Sequence, residues 1–530
     1  MKHSKKHRGR NLLCTVALLG AAFVPTQSLA DVVTLKSADG TVNLVGEFVD
    51  FVDETYIIKT SLGNLRISAS RVRCEGTSCP VFETATADVV FNGSDTIGVG
   101  LMPLLMTGYS DVRDADAEVT NTSQSGQTIT KLIGDQGFGD ELGTYLVTSS
   151  GTDEAFQALL DKTAQVGMAS RRITPQEARA LRDSGAGNMV SPDQERVIAV
   201  DSIVVITHPS NPVTSLSINE LGGIYTGRIT NWSDVGGPDL PIKLHGYKDG
   251  FDTETVFYNR IFGEVEGVTP APQVEAEDSN QMSILVNEDP GAIGFVSFAF
   301  QRGSKGLNIE NECGIVTTPD EFSAKTEEYA IQRRLYFYNR GDNTEPATQE
   351  FLDYVTSASS DDVISKSGFI SLGITRTTQD LKGNRARALM APVTDPYQSS
   401  QMREMLGAMI DQDRLSTTFR YRTGSSKLDE KGLLDMKRLV GYLETLPAGS
   451  RVSFVGFTDD EGAFDANRRL SVARAEQVAA DIKAMAPESL ANIEISTSGF
   501  GEMSPAACNT TSAGKALNRR VEVWVQASNG

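Results

Sequence analysis

Short apolar runs that alternate with helix-like stretches constrain the fold of this chain more than any other feature. Between residues 86 and 375, the runs Val89–Phe91 and Ile203–Ile206 have the length of buried strands, and amphipathic stretches such as Thr152–Leu160 separate them. A second alternation, of three strands and two helices, covers Thr417–Val525. Because strand–helix alternation is typical of α/β folds, the sequence predicts a multidomain α/β protein.

The first 30 residues have the order of a secretory signal peptide. A basic start is followed by an apolar run from Leu12 to Val24, then by Pro25 and the small-residue site Ser28-Leu29-Ala30. A transmembrane anchor is the alternative, but this run is too short to span a bilayer. We therefore expect cleavage after Ala30 and export to the periplasm.

The length and charge of the chain limit its number of domains and the kinds of partner that it can bind. The 530 residues are enough for two to four domains. The formal net charge is −20, and the predicted signal peptide carries basic residues and no acidic ones. Such an acidic chain repels nucleic acid, so we expect no nucleic-acid partner.

The boundaries of the predicted domains follow changes in composition. Residues 1–30 are the signal peptide, and residues 31–83 alternate apolar and polar residues between turn signals, which predicts a small antiparallel β module. Residues 84–375 form the larger α/β region. Residues 376–415 are rich in Thr, Lys, Arg and Gln and are interpreted as a linker, with a helix near residues 400–410, and residues 416–530 form the second α/β domain.

The cysteines and histidines indicate structural rather than catalytic roles. Cys74 and Cys79 are close enough to form a disulfide in an oxidising compartment. Cys313 and Cys508 lie in different predicted domains, so we do not expect them to pair with each other. The four histidines are scattered, which gives no metal spacing. The sequence shows no set of nucleophile and base, so we expect neither an enzyme nor a cofactor.

A loop and a helix in the C-terminal region place polar side chains on one face. The predicted strand Val452–Phe457 leads into a turn that contains Asp459. Asn467, Leu470 and Arg474 then follow at spacings that share one helical face. Asp459 offers acceptors and Arg474 a planar set of donors, which suits a ligand with an amine and a carboxylate on one carbon. An ordinary salt bridge beside a helix face is the simpler interpretation of these residues alone.

Several motifs in fixed order make this region resemble the OmpA C-terminal family. They are Thr423-Gly424-Ser425-Ser426, Phe457-Thr458-Asp459-x-x-Gly462, Asn467-x-x-Leu470-Ser471-x-x-Arg474-Ala475, Gly499-x-Gly501-Glu502 and Asn518-Arg519-Arg520-Val521-Glu522. The resemblance covers about residues 415–527. It implies a βαβαβ-type domain that binds the diaminopimelate of the peptidoglycan stem peptide.

Individual roles follow from the same resemblance. It implies that Asp459 binds the amine of diaminopimelate and that Arg474 binds its α-carboxylate. Asn467 and Leu470 would shape the wall of the pocket. Asn518 and Arg519 would order the closing loop or contact the ligand directly.

Three segments of the central region favour anions. The first, Ser94-Asp95-Thr96, follows a strand and precedes an apolar helix-like stretch. The second, Ser149–Thr152, precedes a helix, and the third, Ser170-Arg171, ends a strand with a hydroxyl and a guanidinium. Backbone N–H groups at helix starts and in turns bind oxyanions, although each segment alone also fits an ordinary cap or turn.

Together with later motifs, these segments resemble the phosphate-type periplasmic substrate-binding proteins. The motifs are Asp201–Ile206, Asn211-Pro212-Val213, Ile224–Gly237 and Pro290–Val296. The resemblance spans about residues 86–375 and implies two α/β lobes joined by a hinge, with a ligand between them. It implies ligand contacts from Ser94, Thr96, Ser170, Arg171 and Thr253, with Asp95 and Lys248 as weaker additions.

One loop departs from the pattern of these binding proteins. The family usually has an Arg followed by Ser-Gly-Thr, whereas this chain has Tyr247-Lys248-Asp249-Gly250-Phe251-Asp252-Thr253. Two acids near a dianion are unfavourable unless one accepts a proton from a protonated oxyanion.

Two hypotheses about function therefore stay open. In the first, the protein binds phosphate or a similar anion and is moored to peptidoglycan near the outer membrane, with outer-membrane or transporter components as further partners. In the second, the central domain has lost its ligand and serves as an interaction platform on a structural tether.

Overall fold

The computed structural model describes residues 32–526 except 37–42, 53–54, 61–62, 69–71, 77, 80–86, 123, 125, 249–251, 264–271, 344, 379–394 and 422–427. The predicted signal peptide and the motif that begins at Thr423 lie outside the described residues. The chain divides into two compact units, Met1–Phe82 and Glu83–Gly530. No helix in the described ranges is both long and apolar enough to cross a membrane.

The first unit contains one antiparallel sheet with strand order β4-β3-β2-β1-β5. Its strands are β1 (Val32–Lys36), β2 (Asn43–Val52), β3 (Thr55–Thr60), β4 (Gly63–Ser68) and β5 (Arg73–Glu75). Val33, Leu35, Tyr56 and Ile58 form its core at every second position, as expected when one face of a sheet is buried. A disulfide joins Cys74 to Cys79. The predicted antiparallel module and its disulfide are confirmed.

The second unit begins with the elements of a first lobe, defined by two cores whose residues lie within 87–200 and 335–372 together with Ala324. They are β6 (Val89–Gly93), α1 (Asp95–Gly100), α2 (Met102–Val112), β7 (Ala115–Asn121), β8 (Gln127–Ile133), α3 (Gly134–Gly137), β9 (Glu141–Ser149), α4 (Thr152–Asp161), β10 (Val166–Ala169), α5 (Pro175–Asp183) and the first part of β11 (Glu195–Thr207).

A second lobe has its own core within residues 203–331. Its elements are β12 (Ser215–Ser217), α6 (Ile218–Tyr225), β13 (Lys243–Tyr247), α7 (Asp252–Phe262), β14 (Val274–Ala276), α8 (Ser279–Glu288), β15 (Ala292–Ser297), β16 (Lys305–Gly306), β17 (Asn308–Glu310) and β18 (Val316–Thr317). Helix α9 (Glu321–Lys325) follows, and its Ala324 packs in a core of the first lobe. The chain then returns through β19 (Gln332–Asn339) to α10 (Pro346–Thr356) and α11 (Asp361–Lys366) of the first lobe.

Two long strands connect the lobes. β11 pairs with β15 in the second lobe, through Ile203–Thr207, and with β19 through Glu195–Ser202. All of β11 is buried, which explains why it contains the consecutive apolar runs Val197–Val200 and Ile203–Ile206 and not an alternating pattern. Because β11 and β19 run side by side between the lobes, Asp201 and Arg333 face each other in register.

The C-terminal region forms a mixed sheet with strand order β20-β21-β24-β22-β23. Its elements are β20 (Arg376–Thr377), α12 (Pro396–Met409), β21 (Asp413–Arg420), α13 (Glu430–Glu444), β22 (Arg451–Gly456), α14 (Phe464–Met485), β23 (Glu494–Gly499), α15 (Ser512–Asn518) and β24 (Arg520–Gln526). One core contains Leu439, Phe454 and Val478, and a separate one contains Met405 and Trp524.

Two sequence-based expectations are corrected here. The described residues of the range 376–415 belong to the C-terminal fold and not to a free linker, because β20 pairs with β21 and α12 buries Met405 and Met409 in the core that contains Trp524. The helix predicted near residues 400–410 is confirmed as α12. Cys313 and Cys508 form a disulfide with each other. The two cysteines are 195 residues apart in the sequence. They come together only because the C-terminal region docks on the second lobe, which no local sequence pattern predicts.

Candidate functional sites

The cleft between the lobes is built from loops that precede helices. Gly93 ends β6 with φ of +135°, and a Cβ there would lie 2.1 Å from the carbonyl oxygen of Met168. Only glycine allows this approach, which lets the Ser94 N–H donate to the same carbonyl at 2.9 Å. The Ser94 hydroxyl is thereby fixed in the interior, where its Oγ is buried without a hydrogen-bond partner.

Arg333, on β19, is the central cation of this cleft. Its Nε donates to Asp201 Oδ2 at 2.9 Å. Its Nη2 donates to Thr96 Oγ1 of the first lobe at 3.3 Å and to Thr253 Oγ1 of the second lobe at 3.1 Å. Its Nη1 is buried and has no hydrogen-bond partner. Arg333 therefore contacts both lobes and retains an unused donor.

Two carboxylates, those of Asp95 and Asp252, lie near each other in the cleft. Asp95 Oδ1 is buried without a partner, and burial, followed by the charge of Asp252, raises the pKa of Asp95 to about 6. Asp252 comes from the second lobe and accepts from the Oγ1 and the backbone N–H of Thr152, at 2.7 and 3.1 Å. The Asp252 carboxylate thus lies at the N-terminus of α4, where positive backbone charge favours an anion.

A chain of hydroxyls extends this contact into the first lobe. Thr152 Oγ1 accepts from the Ser170 N–H at 2.9 Å and lies 3.2 Å from Ser170 Oγ. Because the single hydroxyl proton of Thr152 points to Asp252, the Ser170 hydroxyl is the donor in its pair. Ser170, Thr152 and Asp252 form one continuous hydrogen-bond network across the cleft.

The structure brings together five of the predicted ligand contacts, namely Ser94, Asp95, Thr96, Ser170 and Thr253. Two cations join other networks. Arg171 pairs with Asp153 at 2.5 Å and with Glu177 at 2.7 Å. Lys248 pairs with Glu277 at 3.0 Å. Both charges are neutralised by nearby carboxylates, which the sequence interpretation of Arg171 and Lys248 did not consider.

The sequence interpretation missed Arg333 and did not assign Asp201 to this cleft. It marked the segment that ends in Thr152 as favourable for anions but did not count Thr152 among the ligand contacts. A signal was present, because Arg333 and Arg334 directly precede the apolar and aromatic run Leu335–Tyr338 of the same strand. Charged residues are rarely buried unless they are paired. The cleft offers unused donors from Ser94 and Arg333 beside an acid that holds a proton near pH 6, a combination that can bind a small oxyanion carrying a proton.

The C-terminal region brings its predicted polar residues to one end of the sheet. Asp459 follows β22, and Arg519 Nη1 donates to its Oδ2 at 2.5 Å. The guanidinium of Arg474, on α14, lies 4.9 Å above the ring of Tyr421, and its Nη1 is buried without a partner. Burial lowers the pKa of Arg474 from its ordinary value, which Tyr421 opposes and Arg519 reinforces.

The remaining predicted residues differ in exposure and contacts. Asn467 is buried and donates to Glu502 Oε2 at 2.8 Å, whereas Leu470 is 45% exposed on the same helix. Asn518 Oδ1 accepts from the backbone N–H groups of residues 506 and 507. Asn518 therefore holds the backbone of residues 506 and 507, and Arg519 pairs with Asp459. Among the described residues, no group of His, Cys, Asp or Glu has the arrangement of a metal site.

Comparison with known proteins agrees with the two-lobed architecture. Residues 110–359 match the family profile described as PBP superfamily domain. The chain is 29% identical over 192 residues to the phosphate-binding protein PstS of Bacillus subtilis (strain 168), a match that covers 36% of this chain and 61% of that protein, less than two thirds of its length.

Two further proteins are similar to parts of this chain. Outer membrane porin F of Pseudomonas fluorescens is 38% identical over 93 residues, which covers 18% of this chain and 27% of the porin. The crystal structure of an ABC-type phosphate transport receptor from Vibrio cholerae has a TM-score of 0.41 and 22% identity, and the match covers 53% of this chain and 99% of the receptor. The chain contains a PBP-like, two-lobed domain and is similar in sequence to phosphate-binding proteins.

Proposed function

We propose that this is an exported receptor that binds phosphate or a similar protonated oxyanion between its lobes and is moored to peptidoglycan by its C-terminal domain. Within the described residues, three buried polar atoms without partners carry the first part: Ser94 Oγ, Asp95 Oδ1 and Arg333 Nη1. An unsatisfied buried polar group costs about 1–3 kcal/mol. Three such groups around one cleft are best explained by a ligand that satisfies them.

The chemistry of this cluster specifies the kind of anion. The Ser94 hydroxyl and the Arg333 guanidinium donate to charged oxygens, and an ionised Asp95 accepts from a hydroxyl of the ligand. A fully deprotonated oxyanion such as sulfate gives Asp95 no donor. The similarity to phosphate-binding proteins supports phosphate as the first ligand to test.

Isothermal titration with inorganic phosphate and with sulfate tests this proposal. We expect wild type to bind phosphate and to discriminate against sulfate, and we expect Arg333→Ala to lose binding by at least a hundredfold. Lys162→Ala is the matched control, because it removes a cation of the same lobe whose partner is Asp342, at 3.2 Å. Equal phosphate affinity in wild type and Arg333→Ala would contradict the proposed site.

The position of Asp252 favours a second candidate function, in which the central domain no longer binds a ligand. Its carboxylate lies at the N-terminus of α4, where a bound anion would otherwise be stabilised. An Asp252→Ser variant distinguishes the two candidates. If wild type binds no oxyanion while Asp252→Ser binds phosphate, then the native chain uses this domain as an interaction platform.

The proposed mooring rests on Asp459 and Arg474. The unpartnered Arg474 Nη1 is available to a carboxylate, and Asp459 could accept from an amine beside its contact with Arg519. The OmpA-like motifs and the similarity to porin F support peptidoglycan as the partner. A receptor held at the cell wall is poorly suited to carry ligand to an inner-membrane transporter, so this placement in the periplasm favours sensing, storage or envelope organisation.

Sedimentation with purified sacculi tests the mooring. We expect Asp459→Ala and Arg474→Ala to remain in the supernatant while wild type sediments. Arg468→Ala is the control on the same helix, because Arg468 pairs with Glu404 at 3.1 Å. Sedimentation of both Asp459→Ala and Arg474→Ala would refute this clamp.

A further inference from the structure

The C-terminal domain contacts both lobes of the central domain. On the first lobe, Arg438 Nη1 donates to Asp361 Oδ2 at 2.6 Å, and its Nη2 donates to the backbone carbonyls of Thr356 and Ser357 at 3.1 Å each. On the second lobe, the Cys313–Cys508 disulfide joins the β17–β18 hairpin to the loop before α15. The domain therefore spans the junction between the lobes.

A third contact lies on the connecting strand itself. Successive side chains of a strand point to opposite faces, so Arg333 reaches the cleft while Arg334 reaches the C-terminal domain. Arg334 pairs with Glu327 at 2.5 Å and with Asp429 at 2.7 Å. Although burial acts to raise it, Arg334 and Arg420 hold the pKa of Glu327 well below its ordinary value. Adjacent residues of β19 thus belong to the cleft and to the domain contact.

The β17–β18 hairpin of the second lobe is joined to the C-terminal domain by the disulfide. A cavity of about 970 Å³ lies between the hairpin and this domain, and its lining includes Cys313, Val316, Met402, Phe464 and Cys508. The chain after α9 is held by ion pairs instead, because Arg414 pairs with Glu328 at 2.6 Å and Arg420 pairs with Glu327 at 3.5 Å. The covalent bond is therefore a restraint on the hairpin itself.

The cleft is closed in this arrangement. Asp252 of the second lobe is hydrogen-bonded to Thr152 of the first, and Arg333 joins Thr96 to Thr253. Ser94 and Thr253 are almost fully buried. An anion can reach these groups only when the lobes separate, and separation must move the hairpin relative to Asp361.

We infer that the C-terminal domain is a brace that holds the cleft closed, so that ligand exchange and cell-wall binding are coupled. The brace consists of the Arg438–Asp361 contact, the Arg334–Asp429 contact and the Cys313–Cys508 disulfide. Closure by the brace follows from these contacts alone, whereas coupling between the anion and the wall rests on the proposed function. Any such coupling is reciprocal, because each ligand shifts the same equilibrium between open and closed lobes.

Hydrogen exchange measured by mass spectrometry tests the brace without any ligand. Two variants each remove one contact of the brace. Cys313→Ser/Cys508→Ser removes the disulfide to the second lobe, and Arg438→Ala removes the contact with Asp361 on the first lobe. In both we expect peptides containing Thr152 to exchange at least tenfold faster, because the Thr152 N–H donates across the closed cleft to Asp252. Cys74→Ser/Cys79→Ser is the matched control, since it removes the disulfide of the other unit. Exchange within twofold of wild type in both brace variants, with circular dichroism unchanged, would overturn the inference.

Phosphate kinetics then separate the brace from the proposed function. We expect inorganic phosphate to associate at least tenfold faster with the brace variants, and purified sacculi to change the phosphate affinity of wild type but not of Asp459→Ala. If the brace variants exchange faster but phosphate binds none of the proteins, then the brace stands and the anion-binding proposal fails. If phosphate binds all of them at equal rates and exchange is unchanged, the brace fails and the receptor stands.

Discussion

Replacing Asp95 by Asn should stabilise the protein at neutral pH but not at pH 4. Burial and the nearby Asp252 raise the pKa of Asp95 from 3.8 to about 6, so the folded state binds a proton that the unfolded state releases. Each pKa unit corresponds to about 1.4 kcal/mol, which gives a cost of about 3 kcal/mol for ionised Asp95 at neutral pH. Below pH 4 the side chain is protonated in both states and the cost vanishes.

The pH at which Asp95→Asn stabilises the protein distinguishes an ionisation effect from a packing effect. Because the folded pKa is raised, the cost appears as pH rises from about 4 to 6 and is complete above that range. Asparagine keeps the shape and an acceptor oxygen but never ionises. In a domain of this size about 1 kcal/mol changes the melting temperature by about 2 °C, so we expect Asp95→Asn to melt roughly 6 °C above wild type at pH 7.5.

Thermal unfolding in phosphate-free buffer at pH 4.0 and pH 7.5 measures this difference. The control is Asp183→Asn, at an exposed carboxylate, which should leave the melting temperature within about 1 °C at both pH values. An equal gain for Asp95→Asn at both pH values would show that the effect comes from packing, and the account of Asp95 as a buried acid poised near pH 6 would be refuted.

Two further perturbations test the structural contacts. Glu327→Gln should destabilise the protein by about 3 kcal/mol, because it breaks the ion pair between the buried Glu327 and the partly buried Arg334. Chemical denaturation at pH 7 should show this loss. Cys74→Ser/Cys79→Ser should destabilise the first unit by only about 2 kcal/mol, because the bond closes a short loop. Limited proteolysis should then cut the first unit faster and the second unit at an unchanged rate.

The α/β character of the chain was predictable because it depends on local periodicity. The spacing of Asn467, Leu470 and Arg474 correctly predicts a helix, which the structure places at Phe464–Met485. The same spacing does not tell which side of the helix packs against the sheet. Asn467 is buried while Leu470 is exposed, because the neighbouring loop at Glu502 and the sheet decide burial. The binding roles of these residues stay predictions.

The cleft was predictable only where its residues lie next to a turn. Ser94, Asp95 and Thr96 follow a strand directly, and the junction of strand and helix marks them as candidates. Arg333 and Asp201 lie inside strands and are 132 residues apart. Their partnership depends on the register of β11 against β19, which no local pattern records. Two charges within apolar strands nevertheless had to find partners, and that requirement is the signal that the sequence did contain.

The docking of the C-terminal domain had no local signal, and its chemistry explains why. The contacts between this domain and the central domain include the ion pairs Arg334–Asp429, Arg414–Glu328, Arg420–Glu327 and Arg438–Asp361. Such residues in a sequence indicate only a polar surface. Polar interfaces between domains resemble transient ones, because separation exposes groups that water can solvate. A covalent bond between Cys313 and Cys508 changes that balance, since it keeps the two surfaces together after any ion pair opens. Docking that persists therefore depends on an oxidising compartment, in which this disulfide can form. The signal-peptide pattern of the first 30 residues predicts export to such a compartment.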